Sequence, residues 1–423
     1  MNVPLLTQLY RDAVRTLYPA AAVRDALDST PHELSTARGP MHIIALGKAS
    51  LAMSQAALEW AASRGRPVLG GLCVTHEANP TVELPFDVVI GDHPTPGPHS
   101  ILAADALGSY VASRVTDGDH VLVLLSGGTS ALLGAPLGDI TLEQYATTSD
   151  ALLGAGLSIN QINRTRRQLT RWGAGRLGDA LQQRGADVEV LVISDVVGDD
   201  LFSIGSGPCM PDDIGVARPI PHRVISNNNT AREAIVRLAA ERGLDASTID
   251  DPLHGDVSLC AERITYTLLT EASRARAQHV TPNGSPRITP SASRRVTPSP
   301  RLFCWGGEPT VTLSGTDVPA GGRMQALALQ IAKLLHHDGA DARDITVLAA
   351  GTDGRDGATD AAGAIVDGST WTTLRSVGRR PDADLAGFRS HDALAAVGAL
   401  IPAFASGTNV NDVVIALVGQ AHR

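Results

Sequence analysis

Residues 121–133, VLVLLSGGTSALL, decide the fold class of this chain. Their first half is a continuous apolar run, which is typical of a buried strand in a parallel sheet. The run stops at the turn 126–130, Ser-Gly-Gly-Thr-Ser, before a second apolar stretch. Two glycines allow a tight turn with accessible N–H groups, and a following helix would point its positive end at that turn. The turn is therefore either a phosphate cradle or an ordinary strand–turn–helix corner.

The alternation of strand, turn and helix recurs along the first half of the chain. Strands are predicted at 41–46, 68–75, 86–91 and 188–195, with helical segments between them. Such alternation predicts a doubly wound parallel sheet, whose ligands bind at the carboxyl ends of the strands.

Length and composition exclude several classes of protein. At 423 residues, the chain is long enough for two α/β domains. A formal charge of -9 and an aromatic share of 3% disfavour nucleic-acid binding. The four cysteines are scattered without metal-ligand spacing, which favours free thiols in a reducing cytoplasm. No stretch has the pattern of a signal peptide or a membrane span, so a soluble protein is expected.

Three groups of charged residues stand where a ligand is expected. Lys48 follows the first predicted strand at a helix start, although no Walker motif surrounds it. Asp195 is at the carboxyl end of the predicted strand 188–195, and a carboxylate there suits Mg²⁺. Arg166 and Arg167 belong to a basic cluster that suits an anionic substrate. Each group has a structural alternative: a solvated helix-start lysine, an aspartate that caps a turn, and a solvated helix face.

The last third of the chain predicts a second α/β region. Residues 273–300 are rich in Ser, Thr, Pro and Arg, which predicts a flexible insertion or linker. Residues 302–313 are predicted to form two short strands around a Gly-Gly turn. Arg323 opens an amphipathic helix, where a cation opposes the helix dipole. Because this position is locally unfavourable for a cation, Arg323 is a candidate functional residue.

Eight short motifs occur in a single order and together indicate a known family. They are ALGKA (45–49), LSGGTSALL (125–133), ISDVVGDD (193–200), SGP (206–208), GGEPTV (306–311), GGR (321–323), GTDG (351–354) and GTNVND (407–412). In this set the chain resembles the glycerate 2-kinase family, which has an amino-terminal glycerate-kinase domain and a carboxyl-terminal MOFRL domain. The resemblance covers nearly the whole chain except the first helix and residues 273–300.

The resemblance implies two α/β domains with a cleft between them. The larger domain, a Rossmann-like doubly wound parallel sheet, would cover residues 1–272, and the smaller MOFRL domain would cover residues 301–423. Residues 273–300 would form the flexible insertion between them. The resemblance also implies ATP-dependent phosphorylation of D-glycerate to 2-phosphoglycerate with Mg²⁺. Such an enzyme is cytoplasmic and binds small molecules rather than nucleic acid or membranes, and a homodimer stays open.

Residue roles follow from the resemblance and from the needs of phosphoryl transfer, namely alignment and charge neutralisation. In the family, the lysine of Gly-Lys-Ala and the arginine of Gly-Gly-Arg are the proposed catalytic pair, and these are Lys48 and Arg323 here. Asp195 is the preferred carboxylate for Mg²⁺ or for orienting the substrate hydroxyl. The other assignments are ATP phosphate binding by Ser126, Gly127, Gly128, Thr129 and Ser130, substrate binding by Arg166, Arg167 and Asn227, and metal binding by Glu308 and Asp353.

Three alternative functions remain at this stage. One is an NAD(P)H-dependent hydroxypyruvate reductase, although the turns at 47–50 and 126–130 lack the Gly-x-Gly-x-x-Gly pattern of dinucleotide-binding enzymes. Another is a kinase for a related sugar acid, because motifs do not define the acceptor pocket. A non-catalytic nucleotide or sugar-acid sensor is the third, and the presence of Lys48, Asp195 and Arg323 speaks against it.

Overall fold

The computed structural model of the protein describes residues 2–29, 40–76, 83–154, 159–212, 218–277, 300–313 and 319–419. Of the insertion predicted at 273–300, residues 278–299 lie outside the described residues, whereas 273–277 are the last turn of a helix. None of the described helices combines the length and the apolar character that crossing a membrane requires.

The helices in chain order are α1 (Asn2–Thr16), α2 (Pro19–Asp28), α3 (Ser50–Ser63), α4 (Pro98–Arg114), α5 (Thr129–Leu132), α6 (Leu142–Gly154), α7 (Ile159–Leu169), α8 (Arg176–Gln183), α9 (Asn228–Glu241), α10 (Val257–Ala277), α11 (Arg323–His337), α12 (Thr370–Ser376), α13 (Pro381–Ala386) and α14 (Ser390–Ala396). The strands are β1 (Met41–Leu46), β2 (Val68–Thr75), β3 (Asp87–Ile90), β4 (His120–Leu125), β5 (Asp187–Ile193), β6 (His222–Ser226), β7 (Asp245–Thr248), β8 (Leu253–Asp256), β9 (Arg301–Thr310), β10 (Ile345–Gly351), β11 (Ala361–Asp367), β12 (Leu400–Pro402) and β13 (Asp412–Val418).

The chain forms two compact units, each with its own sheet. The parallel-sheet unit consists of Leu17–Asn227 and Gly407–Val410. The mixed-sheet unit consists of Met1–Thr16, Asn228–Ser406 and Asn411–Arg423. The two-domain α/β architecture expected from the resemblance is therefore confirmed.

The parallel-sheet unit is built on six parallel strands in the order β3-β2-β1-β4-β5-β6. Every residue of β1 and β4 is buried, which explains why both sequences are apolar apart from His42 and His120. The strand order runs outward from β1 on one side and from β4 on the other. The boundary between β1 and β4 is thus the switch point at which doubly wound sheets bind ligands. The predicted Rossmann-like sheet is confirmed.

Among the described residues, the mixed-sheet unit has seven strands. Their order is β12-β11-β10-β13-β9-β7, and β8 also pairs with β9. The pairings from β12 to β9 are antiparallel, whereas β7 and β8 run parallel to β9. Helices α10 and α11 contribute to a buried core that includes Trp305, Met324 and Trp371.

The boundary between the compact units differs from the predicted domain boundary at residue 272. Strands β7 and β8 pair with β9, and α10 packs into the same core as α11, so residues 228–277 lie in the mixed-sheet unit. Helix α1 also belongs there, and its Tyr10 hydroxyl donates a hydrogen bond of 2.5 Å to the carbonyl oxygen of Gly351. These pairings join segments that are distant in sequence, and no local pattern encodes them.

The prediction of two strands within 302–313 is wrong, because β9 runs without a turn through Gly306 and Gly307. A Cβ at Gly306 would overlap the side-chain amide of Asn228, and one at Gly307 would overlap the backbone of Leu253. The two glycines therefore allow α9 and β8 to pack closely against β9, rather than allowing the chain to reverse.

A buried polar cluster lies at the amino ends of β1 and β4, at the opposite edge of the sheet from the strand ends that bind ligands. His42 Nε2 lies 3.2 Å from Asp119 Oδ2, and His42 Nδ1 lies 2.7 Å from the Tyr110 hydroxyl. Asp119 also accepts hydrogen bonds from the N–H and the hydroxyl of Thr116. Burial by itself would raise the pKa of Asp119, but these hydrogen bonds and His42 hold that pKa below its usual range.

Asp119→Ala should lower the free energy of unfolding by about 2–4 kcal/mol, because buried partners lose their acceptor. A carboxyl with a lowered pKa contributes stability that is present at neutral pH and lost as the pH falls through its folded pKa. The difference between variant and wild type should therefore shrink under acid conditions. Urea unfolding at several pH values measures this, and an equal difference at every pH would contradict the assignment. Turnover should stay unchanged.

Candidate active site

Two turns meet at the switch point of the parallel sheet. One follows β1 at Gly47-Lys48, and the other follows β4 at Ser126-Gly127-Gly128. The N–H of Lys48 donates to the carbonyl oxygen of Gly127 at 2.9 Å, and the N–H of Ser126 donates to Leu46 at 2.9 Å. These hydrogen bonds fix the two turns against each other, so the lysine and the glycine-rich turn belong to one site.

The Lys48 side chain runs over the Gly-Gly turn. A Cβ at Gly128 would lie 3.1 Å from Lys48 Cγ and 3.3 Å from Lys48 Cε. Gly128 also has φ +87°, a conformation that favours glycine. No carboxylate among the described residues lies within ion-pair distance of Lys48, so the structure provides this ammonium with no neutralising partner there.

Lysine is a rare residue in this chain. Lys48 and Lys333 are the only lysines among the 35 lysine and arginine residues. Nearly all basic side chains of this chain are arginines, but the one at the switch point is a lysine. A compact ammonium on a flexible stem differs chemically from a planar guanidinium. This contrast favours a functional Lys48 over a solvated helix-start lysine.

Asp195 lies on the other side of the glycine-rich turn. A Cβ at Gly127 would overlap the Asp195 carboxylate, so only glycine leaves room for this approach. Asp195 follows β5, the neighbour of β4, which explains why the two meet. Lys48, Gly127 and Asp195 are therefore brought together, as their positions at strand ends predicted.

The hydroxyl groups of the turn differ in what they contact. Ser126 Oγ accepts the N–H of Ala49 at 3.1 Å, and Thr129 Oγ1 donates to the carbonyl oxygen of Ser126 at 2.8 Å. Both residues are buried. Ser130, which is partly exposed, pairs with Ser206 Oγ at 2.8 Å. Ser126 and Thr129 thus hold the turn together, which leaves Gly127, Gly128 and Ser130 as the better candidates for contacting phosphate.

The helix after the turn is short. α5 has four residues, Thr129–Leu132, so its aligned peptide dipoles add little positive potential at the turn. The left-handed residue is Gly128 and not Thr129, whose φ is not positive. A threonine therefore fits at position 129.

Asn227 follows β6 and contacts the loop that begins at Asp195. Its Nδ2 donates to Asp199 Oδ2 at 2.5 Å, and Asp199 has φ +54°. Asn227 therefore lies at the same edge of the sheet as Lys48 and Asp195, and it supports the loop after β5.

The two predicted arginines of α7 have different environments. Arg167 is 1% exposed, forms an ion pair of 2.8 Å with Asp212, and donates to the carbonyl oxygen of Met210. Its guanidinium also lies 4.9 Å from the Phe202 ring centroid. Arg167 is thus neither a solvated helix face nor accessible to a substrate carboxylate. Arg166 is partly exposed, which leaves it as the better candidate.

A second polar cluster, in the mixed-sheet unit, surrounds Arg323. Arg323 Nε donates to Asp412 Oδ2 at 2.6 Å, and Nη1 donates to Glu308 Oε1 at 2.7 Å. Glu308 stands on β9 and Asp412 on β13, two adjacent antiparallel strands. Among the described residues, Arg323 Nη2 has no hydrogen-bond partner, so the guanidinium retains donors for a ligand anion.

Asp356 explains why a cation is tolerated at the start of α11. Its Oδ1 and Oδ2 accept the N–H groups of Met324 and Gln325 at 3.1 and 2.7 Å. A Cβ at Gly322 would overlap the same carboxylate. Asp356 therefore occupies the helix N-terminus and, with Glu308 and Asp412, offsets the unfavourable charge of Arg323.

Burial raises the pKa of Asp412 to about 7, against the lowering effect of Arg323. A carboxyl with a raised pKa loses stability as the pH increases from about 4 towards this value, because ionisation costs more in the folded state. The wild type should therefore lose stability between pH 5 and pH 8, whereas Asp412→Asn should not. The free energy of unfolding of the variant, measured relative to wild type, should increase over this range. Denaturant titrations across this range measure the difference. Glu308→Gln is the control, since the Glu308 side chain is 42% exposed, and a pH-independent Asp412→Asn difference would contradict the prediction.

The three metal candidates are not one cluster. Asp195 lies in the parallel-sheet unit, whereas Glu308 and Asp353 lie in the mixed-sheet unit. Glu308 is paired with Arg323, and Asp353 Oδ1 accepts the N–H of Arg355 at 3.0 Å. Within the described ranges, no three His, Cys, Asp or Glu side chains are grouped to hold a metal ion.

His93 and Asp412 are further functional candidates, to which the sequence pattern assigned no role. A Cβ at Gly128 would lie 3.3 Å from His93 Cδ2, so this imidazole borders the same turn as Lys48. Burial, with smaller contributions from Lys48 and His76, lowers the pKa of His93 to about 4, so the imidazole is neutral at pH 7. Asp412 is the last residue of the GTNVND motif, which was the available signal for it.

Comparison with known proteins identifies a family. One family model, described as "Domain of unknown function (DUF4147)", matches residues 5–235, and the MOFRL family model matches residues 301–412. The chain is 32% identical to D-glycerate 2-kinase of Thermotoga maritima over 98% of each chain. It is 31% identical to glycerate 2-kinase of Pyrococcus horikoshii over 97% of this chain and 96% of the relative. A protein of Agrobacterium vitis, 30% identical over 98% of this chain and 94% of its own length, carries a provisional name as a hydroxypyruvate reductase.

Solved structures show the same architecture. The crystal structure of glycerate kinase from Thermotoga maritima matches with a TM-score of 0.80 at 30% identity, covering 98% of this chain and 99% of that one. Fold and site thus define a two-domain α/β protein with a polar cluster at the switch point of its parallel sheet. The chain belongs to the glycerate 2-kinase family.

Proposed function

We propose that this protein is a glycerate 2-kinase, which transfers the γ-phosphoryl group of ATP to the 2-hydroxyl of D-glycerate and releases ADP and 2-phosphoglycerate. The observation that carries the proposal is Lys48, an ammonium without a carboxylate partner among the described residues, beside the Gly-Gly turn at the switch point. The full-length similarity to proteins named as glycerate kinases supports the same reaction.

Phosphoryl transfer needs positioned charge more than covalent help from the protein. Lys48 would bind a γ-phosphoryl oxygen and stabilise the charge that develops during transfer. The N–H groups of Gly127 and Gly128, with the hydroxyl of Ser130, would bind neighbouring phosphate oxygens. Arg323, whose Nη2 retains donors, is proposed as a second cation for the phosphoryl group.

The acceptor needs a group for its carboxylate and a group for its hydroxyl. Arg166 is proposed for the carboxylate, because a guanidinium binds it with two hydrogen bonds. As the alternative to binding a metal, Asp195 is proposed to accept a hydrogen bond from the 2-hydroxyl and so to orient it towards the phosphoryl group. Asn227 would support the loop that carries Asp195, through its hydrogen bond to Asp199.

Mg²⁺ is the proposed metal, and Asp195 is its preferred ligand, since a single carboxylate with ATP phosphates suits this ion. The ion would neutralise phosphate charge when it enters with ATP. Glu308 and Asp353 remain weaker candidates, because Glu308 already pairs with Arg323 and Asp353 accepts a backbone hydrogen bond.

A coupled assay for ADP release, run with D-glycerate, L-glycerate and related hydroxy acids, tests the proposal. ADP release with D-glycerate and a ³¹P spectrum of 2-phosphoglycerate are the expected results. Oxidation of NADH or NADPH with hydroxypyruvate, without ADP release, would establish the reductase alternative. ADP release with a different sugar acid would keep the kinase but replace the acceptor.

Cytoplasmic location completes the proposal, together with a division of the sequence into family regions 1–272, 273–300 and 301–423, which differs from the division into compact units. All four cysteines lie within the described residues, are buried and form no disulfide, which suits a reducing compartment. Deletion of residues 278–299 with retained turnover would support the role of this segment as an insertion.

A further inference from the structure

The mixed-sheet unit contains a cavity beside Arg323, and the proposed reaction assigns no part of a substrate to it. Its volume is about 470 Å³, and it lies between the starts of α10 and α11, the end of β9 and the turn after α13. Apolar side chains form much of its wall, namely Val257, Leu313, Leu385 and Phe388. Leu313 is 56% exposed, so a large apolar surface there faces no protein partner among the described residues.

Phe388 lines the cavity and has an unusual backbone conformation. It has φ +56°, in the left-handed region that a bulky side chain rarely adopts. Only five phenylalanines occur in the chain, and this one lines the cavity. Strained backbone is retained mostly where the side chain it positions is used, and an aromatic ring at a cavity wall offers a flat surface for stacking.

We propose that this cavity binds the purine base of ATP and ADP, with the base stacked against Phe388. The inference rests on the proposed kinase function and adds the location of the nucleoside. A cavity of about 470 Å³ falls within the range that holds a nucleoside-sized ligand, roughly 300–1,000 Å³. D-Glycerate has no apolar group that such a wall would bind, so the acceptor is the poorer occupant.

Polar groups at the cavity suit the rest of the nucleotide. Asp256 and Ser258 line one side, and Asp256 Oδ1 accepts the Ser258 N–H at 2.9 Å, which leaves Oδ2 for a ribose hydroxyl. Gln330 offers both a donor and an acceptor to the edge of the base. Arg323 also lines the cavity, and its guanidinium would attract the phosphates.

Calorimetric titration of the full-length protein with ADP and with adenosine tests the inference directly. Phe388→Asn removes the ring but keeps a residue that tolerates positive φ, and it should weaken ADP binding at least about tenfold. Phe388→Tyr keeps the aromatic surface and should bind nearly as wild type. In turnover assays the asparagine variant should raise the KM for ATP and leave the KM for D-glycerate unchanged.

A second variant avoids the strained residue. Ala326 lines the cavity from α11, and Ala326→Phe should fill it and weaken ADP and adenosine binding while the helix is retained. Ala383→Phe, at an exposed position of α13 outside the cavity wall, is the matched control. Unchanged ADP and adenosine affinity in both Phe388→Asn and Ala326→Phe would overturn the inference. So would a raised KM for D-glycerate with unchanged ADP affinity.

The outcome is separable from that of the proposed function. Wild-type protein that binds ADP but shows no glycerate-dependent ADP release would contradict the kinase assignment, and the two variants would still decide the nucleoside site. If the wild type releases ADP with D-glycerate and both variants bind ADP as tightly as the wild type does, only the cavity assignment is contradicted.

Discussion

Lys48→Ala should lower turnover at least about 100-fold while the free energy of unfolding changes little. The ammonium is the cation of the switch-point site that no carboxylate among the described residues neutralises, so its charge is available to a phosphoryl group. Its removal leaves the hydrogen bond from the Lys48 N–H to Gly127 in place, which is why the turns should keep their arrangement. Coupled ADP release and urea unfolding measure the two effects.

The chain provides a matched control for this variant. Lys333→Ala removes the only other lysine, which forms an ion pair of 2.9 Å with Asp382, and it should leave turnover unchanged. Lys48→Arg tests geometry, since a planar guanidinium replaces the compact ammonium, and turnover should recover only in part. Wild-type turnover in Lys48→Ala would remove Lys48 from the catalytic groups.

The scarcity of lysine permits a second measurement at this site. Pyridoxal phosphate and borohydride label accessible amines, and peptide mass mapping needs to resolve only Lys48, Lys333 and the terminal amine. Lys48 should be labelled, and ATP should protect it while leaving Lys333 unaffected. Labelling of Lys48 that ATP does not reduce would place the phosphates elsewhere.

Arg323→Leu should have two effects that arise from different interactions. Loss of the proposed phosphoryl cation should lower turnover on the order of 100-fold or more. Loss of the 2.6 Å pair also leaves the buried Asp412 carboxylate uncompensated, which should lower the free energy of unfolding by about 1–3 kcal/mol. The stability loss should grow between pH 6 and pH 8, because more of Asp412 is ionised at the higher pH.

A double variant separates the two effects of Arg323. Arg323→Leu combined with Asp412→Asn removes the unpaired charge, so stability should recover while turnover stays low. Arg323→Lys keeps one charge but cannot reach Glu308 and Asp412 with a planar fork, and intermediate turnover is expected. Recovery of turnover together with stability would show that Arg323 has only a structural role.

The switch-point site was predictable because its parts are local. Lys48, the turn 126–130 and Asp195 each follow a largely apolar strand, and parallel strands bring their carboxyl ends to one edge. The environment of Arg167 was not predictable in this way. Whether an arginine on α7 faces solvent or packs on Phe202 depends on the loop that contains Met210 and Asp212, which is distant in sequence.

By itself, the sequence determined the alternating α/β pattern, the doubly wound sheet, the turn 126–130 and the position of Lys48 after a strand. Periodicity and glycine placement are local properties of the chain. Tertiary structure alone decided that residues 228–277 join the carboxyl-terminal sheet, that Ser126 and Thr129 turn their hydroxyls inward, and that Arg323 is held by Glu308 and Asp412. These features depend on pairings between distant strands, and a side chain's partners are set by which strands become neighbours rather than by its own position in the sequence.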